Sequence, residues 1–411
     1  MHVPSAPLDS PLLHEPLPTP GTLFGWTHAR SRLALGITGV GVSVVGALLL
    51  VLAPSLAASL AIEFARWLGV ASSALSLRAA VGTAVLLAAL HALLLWPLDL
   101  LGGAFVVRRP QPVVSWLTQW VRGVLAMLVI VALSASALYA GYQLLGAPGV
   151  VLASVVVQLV WLAAQGLLAR AVGGVQLRST SPSLRDAADR AGLDGVDVRE
   201  VDVDDLAAVG GWIGLANTLW VPSRWLHDMP TPALIAQLVR RRITRSSGLR
   251  LRGLIGAISW NTIGVAWFVL GAQVVPIIPS NVVLFMSGMT LWSFLGVLML
   301  PTPSRRAVFA IDRDAARAIG GDDVMAAIRI IDAQQDDELD RPRGVETIFH
   351  PVPSRGSREA ALVRANPRAP RGAHHVTRLM LGASTSTLGL LGRAVHCNIG
   401  RPALWVVFPG D

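Results

Sequence analysis

The chain has 411 residues, of which 53% are hydrophobic and 14% charged, and a formal net charge of +9. That much apolar side chain exceeds what a soluble core of this size can enclose, so a wholly soluble protein is excluded and a bilayer is the expected solvent. Every basic residue other than histidine is arginine, and the single cysteine, Cys397, excludes an internal disulfide and a cysteine-built zinc ribbon.

Residues 1–32 hold Pro4, Pro7, Pro11, Pro16, Pro18 and Pro20 and no apolar run long enough for the core of a signal peptide. They read as a disordered, Pro-rich tail in which His2, His14 and His28 have no structural task. A hydrocarbon layer about 30 Å thick takes roughly 20 apolar residues of helix. The segments 33–52, 79–101, 121–145, 150–168, 253–275 and 281–300 meet that length, which predicts about six membrane-spanning helices. The first four make a transmembrane region over 33–170, and the last two a hairpin over 253–300. Between the first two spans, a stretch with Glu63 and Arg66 carries two charges and reads as an interfacial helix.

Arginines sort the connections. Arg30 and Arg32 precede the first span, Arg108, Arg109 and Arg122 follow the second, and clusters follow the fourth and sixth, whereas 146–149 and 276–280 are uncharged. The positive-inside rule then places both termini in the cytoplasm, as in a bacterial cytoplasmic-membrane protein. His91, Gln143, Gln158 and Gln165 mark the spans too sparsely for a transport path, and His91 reads as a helix–helix hydrogen bond.

The polar blocks 171–252 and 301–363 read as one α+β domain on the cytoplasmic side, split by the hairpin. Within it, 196–203 alternates as a half-buried strand does, and 218–221 reads as a second strand ahead of Pro222. Residues 232–245 read as a helix capped by Thr231, 304–320 as a helix closed by glycine, and 322–333 as another. The acidic run Asp336, Asp337, Glu338, Asp340 and the Arg/Pro-rich 364–371 read as solvated linkers, the latter opening a loosely packed C-terminal tail over 364–411. His374, His375, His396 and Cys397 fit no metal-ligand spacing and read as surface residues of that tail. Trp212, Trp220, Trp225, Trp260, Trp267 and Trp292 read mostly as interfacial anchors or core.

Three segments carry chemistry. Residues 234–245 run Leu-Ile-Ala-Gln-Leu-Val-Arg-Arg-Arg-Ile-Thr-Arg, residues 304–316 run Ser-Arg-Arg-Ala-Val-Phe-Ala-Ile-Asp-Arg-Asp-Ala-Ala, and 349–358 run Phe-His-Pro-Val-Pro-Ser-Arg-Gly-Ser-Arg. In this order around a membrane hairpin, the chain resembles the HtpX-like and CAAX prenyl protease-type membrane zinc peptidases. In that family an apolar approach leads into His-Glu-x-x-His, and a later helix reads Ser-Arg-x-x-Glu-Phe-x-Ala-Asp-x-x-Ala. A His-Pro-Pro-x-x-x-Arg segment follows. The i, i+4 histidines and the later glutamate hold zinc, and the glutamate beside the first histidine serves as general base.

The resemblance sets Arg241, Arg242 and Arg245 at the His, Glu and His places and Val308 at the third ligand, while Asp312 and His350 keep family positions. A guanidinium stays protonated and has no free lone pair, and valine offers only hydrocarbon, so none can ligate zinc or take a proton from water. The expectation is therefore a peptidase homologue with no catalytic residues, no zinc and no other cofactor, which binds or regulates membrane proteins or peptides. The resemblance also implies that the strand of Trp220 is the edge along which a client peptide lies. Alternatives are a hydrolase that uses His350 with Asp312, and, last, a transporter or assembly factor. The arginines at 240–245 either bind phosphate or carboxylate groups or pair with Asp312, Asp314 or lipid phosphates. No glycine-rich phosphate loop is present and the basic residues flank membrane spans, so nucleic acid is not an expected partner.

Overall fold

The computed structural model describes residues 19–335, 337–364 and 372–406. Most of the expected N-terminal tail, Asp336 of the acidic run, residues 365–371 of the Arg/Pro-rich stretch and the last five residues lie outside the described residues.

Helix α1 (His28–Leu52) starts where the Thr27 hydroxyl accepts the Arg30 N–H. It begins ahead of the expected boundary and includes His28, whose ring bonds the Gly21 carbonyl at 3.1 Å, so this histidine does have a structural contact. Helix α2 (Pro54–Leu68), only 15 residues long, is the short helix expected between the spans. It buries Ala57, Ala61, Phe64 and Ala65 and leaves the Glu63–Arg66 pair exposed. Helix α3 (Leu77–Leu100), capped by Ser76, runs into a π-helical turn over Leu101–Phe105. As expected, His91 on α3 hydrogen-bonds across to α1, its Nε2 lying 2.9 Å from the Ser43 hydroxyl.

Helix α4 (Val113–Ala163) has 51 residues, about 76 Å of helix and more than twice a bilayer's hydrocarbon thickness. At Gly146 the backbone leaves the helical region (φ 65°, ψ −150°). The two arms meet so closely beyond it that a Cβ on Gly141 would lie 2.5 Å from the Gly149 carbonyl oxygen. The third and fourth expected spans are thus the arms of one hairpin. With α4 counted once, five helices among the described residues are long and apolar enough to cross a membrane, and the chain is a helical integral membrane protein.

Helix α5 (Gln165–Gly173) leads into a four-stranded sheet of β1 (Gln176–Arg178), β2 (Asp197–Asp202), β3 (Gly211–Ile213) and β4 (Thr218–Pro222), with α6 (Pro182–Arg190) between the first two strands. The order is β1-β2-β4-β3, parallel between β2 and β4 and antiparallel elsewhere. Strands β2 and β4 are the two that alternation predicts. Trp220 lies between Arg199 of β2 and Gly211 of β3, so β4 is an inner strand and not an edge; the edges are β1 and β3.

After the single turn α7 (Trp225–Asp228) comes α8 (Thr231–Ser246). Its N-cap is Pro230 and no side chain caps it, so Thr231 is the first helical residue instead of the cap. The hairpin follows as α9 (Leu249–Ala266), a π-helical turn and α10 (Pro279–Met299), in which Trp260 and Trp292 donate to each other's carbonyls. Helices α11 (Pro301–Ile319) and α12 (Gly321–Gln334) are separated by Gly320 at φ 100°. Leu184, Leu219, Leu234, Leu238, Ile311 and Ile328 belong to one buried cluster, so the chain on both sides of the hairpin shares a core.

Helices α13 (Arg343–Phe349), α14 (Arg355–Arg364) and α15 (Val376–Ser384) follow. The reading of the end of the chain as a loosely packed tail with surface histidines does not hold. From α15 to Val406 the chain packs among the membrane helices, and His374 is buried. Its irregular backbone carries carbonyls and N–H groups that no helix satisfies, and side chains of the spans take them up, as a nonpolar surrounding requires. Gln165 donates to the Val406 carbonyl and Asn261 to that of Met380, both at 3.1 Å. Trp116 donates to Gly400 at 2.9 Å, and buried Arg32 reaches the carbonyls of Gly102, His396 and Ile399.

Candidate functional site

The arginine run on α8 does not act as one cluster, because successive residues turn by about 100° around a helix. Arg240 points toward α11 and donates from Nε to Oδ1 of Asp312 at 2.9 Å and from Nη1 to the Gln237 amide oxygen. Arg358 of α14 closes the other side, Nε to Oδ2 at 2.7 Å and Nη2 to Oδ1 at 2.9 Å. All three side chains are buried. One carboxylate is therefore clamped between two guanidiniums where α8, α11 and α14 meet, one of them bidentate in the geometry that suits an Arg–carboxylate fork.

The neighbouring arginines diverge. Arg241 donates to the Val209 carbonyl at 3.3 Å, and its own carbonyl accepts the Trp212 indole N–H at 2.8 Å. Arg242 lies against Gly192 beyond α6. Arg245 is exposed and stacks 4.8 Å above the Trp212 ring, with Arg250 at 5.8 Å. The residues one turn apart on the buried face of α8 are thus Arg240 and Thr244, whose hydroxyl returns to the Arg240 carbonyl at 2.8 Å. The structure does not bring Arg241, Arg242 and Arg245 to one point. Val308 is fully buried one turn ahead of Asp312 on α11, hence on the same face.

His350, just past α13, is buried with its ring centroid 4.7 Å from that of His396. Both line a small cavity with Arg358, Arg378 and Cys397. Both oxygens of Asp312 are engaged by arginines, Oδ1 by Arg240 and Arg358 and Oδ2 by Arg358. Zinc, which the resemblance implies, does not fit the side chains at this helix junction. Guanidinium and hydrocarbon offer no lone pair, and the adjacent guanidinium cations repel a divalent cation. Among the described residues no group of three or more His, Cys, Asp or Glu side chains is placed to hold a metal ion.

Two functional groups escape the sequence reading. Arg358 has a weak signal only, as the last arginine of a displaced motif. Asp99 has a plain one, since it is an acidic residue inside the second expected span, and such a residue calls for a partner. It is fully buried and accepts from the Trp120 indole (2.9 Å), the Arg393 guanidinium (2.6 Å) and the Gly400 N–H (2.6 Å). A third acid, Asp205, takes Arg401 in a fork and also accepts the Ala207 N–H. Burial alone would raise its pKa, but the Arg401 charge and these hydrogen bonds outweigh that and hold the carboxyl below its usual 3.8.

No protein-family model matches the sequence, and neither does any curated protein. Among solved structures, the crystal structure of Ste24p from S. mikatae shares the fold, with a TM-score of 0.61 at 11% identity over 75% of this chain and 80% of that one.

Proposed function

We propose that the chain is a non-catalytic relative of the HtpX-like and CAAX prenyl protease-type zinc peptidases, residing in a bacterial cytoplasmic membrane with both termini inside. It retains the membrane peptidase frame to bind or regulate membrane proteins or peptides. The fold it shares with Ste24p, a protease of that type, supports the relationship. The observation that carries the non-catalytic reading is the buried Arg240–Asp312–Arg358 clamp. It puts fixed positive charge at a helix junction where metal chemistry would need lone-pair donors. Client binding falls to the short edge strand β3, where the guanidiniums of Arg245 and Arg250 both lie against the Trp212 ring and the strand can support strand addition.

Purified protein assayed for metal content and for cleavage of casein or of a membrane substrate, with and without chelator, tests this. Sub-stoichiometric zinc and no chelator-sensitive cleavage are expected. One zinc per chain, or chelator-sensitive cleavage that His350→Ala abolishes, overturns the reading in favour of an active metallopeptidase.

A further inference from the structure

A cleft of about 720 Å³ separates the start of α4 and the loop before it from β2, the turn after it and the α5 C-terminus. Most charges on its walls are already engaged. Arg224 donates to the carbonyls of Leu206 (2.7 Å) and Ala208 (2.8 Å), Arg401 holds Asp205, and Asp202 holds Arg178 and the Ser223 hydroxyl. Three charged side chains have no ion pair or side-chain hydrogen bond among the described residues: Arg109 and Arg122 on the membrane-helix wall and Asp204 on the opposite wall. The Arg122 side chain is exposed, and its guanidinium lies so close to Gly174 that a Cβ there would meet it.

The depth of this cleft is set by helix length. Counted back from the turn at Gly146, about 20 residues of helix fill a 30 Å hydrocarbon layer, which leaves Arg122 at headgroup level. Arg109, in the loop between the π-helical turn and α4, lines the same cleft. On the bilayer side of Arg122, Leu125, Val129 and Leu133 of α4 are exposed and give acyl chains an apolar flank. A cleft at this depth with two guanidiniums on one wall, a carboxylate on the other and an apolar margin presents opposite charges to one amphipathic ligand.

We propose that this cleft binds the headgroup of a glycerophospholipid bearing a primary amine, with its phosphodiester on Arg109 and Arg122 and its ammonium toward Asp204. Guanidiniums suit phosphate oxygens. A carboxylate accepts N–H bonds from a primary ammonium, which a quaternary headgroup does not have, and a glycerol headgroup brings no cation to Asp204. The inference is independent of whether the protein retains peptidase chemistry.

The test is a native mass-spectrometric titration of the detergent-purified full chain with ethanolamine, choline and glycerol phospholipids of identical acyl chains, and with inorganic phosphate. One ethanolamine lipid is expected to bind at least about tenfold more tightly than its choline counterpart, the worth of one charge-assisted hydrogen bond. Arg109→Gln with Arg122→Gln should remove that binding. Asp204→Asn, a change at an exposed residue, should leave phospholipid bound but erase the preference for ethanolamine over choline. Equal binding of all lipids, unchanged in these variants, means annular lipid only and overturns the proposal. Phosphate that competes as well as lipid overturns the lipid assignment, and a preference for the glycerol lipid overturns the amine. Circular-dichroism melting of each variant separates lost binding from lost fold.

Discussion

Asp312 and Asp99 are both buried carboxylates joined to arginine, one in the domain outside the bilayer and one among the membrane helices, and their shells differ. Asp312 is bonded by two guanidiniums, one of which, that of Arg240, also donates to the Gln237 amide oxygen. Asp99 has a single guanidinium, and an indole N–H and a backbone N–H complete its shell, so the site is formally neutral. Outside the hydrocarbon a second guanidinium can be accommodated by nearby polar groups and water. Next to lipid the desolvation cost favours exact pairing of charge and neutral donors for the remaining lone pairs.

The most damaging single change should be Asp312→Ala, which removes the buried carboxylate that both Arg240 and Arg358 bond. Breaking a buried ion pair in this way costs about 3–5 kcal/mol. Tryptophan-fluorescence unfolding in detergent should show that loss, and a wild-type melt would mean that the clamp is not structural. Replacing all three side chains together, Arg240→Leu, Asp312→Leu and Arg358→Met, should recover most of it, because apolar packing of similar volume often equals a buried ion cluster.

Asp99→Asn should come next, at about 3 kcal/mol, since it strands the Arg393 charge but keeps the shape of the site. Because Arg393 and Gly400 anchor the C-terminal segment, Cys397 should react with a maleimide faster in this variant. Unchanged labelling would show that the segment is held by its other contacts.

Asp205 provides an intermediate case with a pH signature. Its carboxyl titrates below the usual 3.8, so its pairing with Arg401 contributes fully at neutral pH and is lost as pH falls through the lowered pKa. Stability measured from about pH 7 down to about pH 3 should fall more steeply in the wild type than in Asp205→Asn. The smallest effect belongs to Ser43→Ala, which removes the hydrogen bond to His91 on α3 and one to the Gly39 carbonyl within α1. Such bonds between membrane helices average about 0.6 kcal/mol, and a loss several times larger would mean that His91 does more than join α1 to α3.

Much of the architecture was legible because its signals are local. Apolar runs of the right length marked the spans, and even the α4 hairpin followed from the short uncharged connection at 146–149 between two of them. The alternation over 196–203 marked β2, and the spacing over 304–320 marked α11 with its terminal glycine. The polar site was legible in type but not in direction. The sequence places three arginines in a row, but a helix sends Arg240, Arg241 and Arg242 to different neighbours, and only the packing of α8 on α11 selects Arg240 for Asp312. The edge of the sheet was misplaced because strand order is a long-range property: Trp220 is interior once β3 pairs outside β4.

Composition and periodicity alone determined that this chain lives in a bilayer and that a polar α+β domain is split by a hairpin, while arginine and valine at the metal-ligand places are what the resemblance implies. These follow from solvent preference and side-chain chemistry, which each residue carries with it. Tertiary structure decided that the last 30 or so described residues close the membrane bundle, because the partners of their exposed backbone, from Arg32 to Thr290, come from spans far apart in sequence. It also decided which arginine guards Asp312, since a guanidinium reaches several directions and only the neighbouring helix supplies the carboxylate that fixes one.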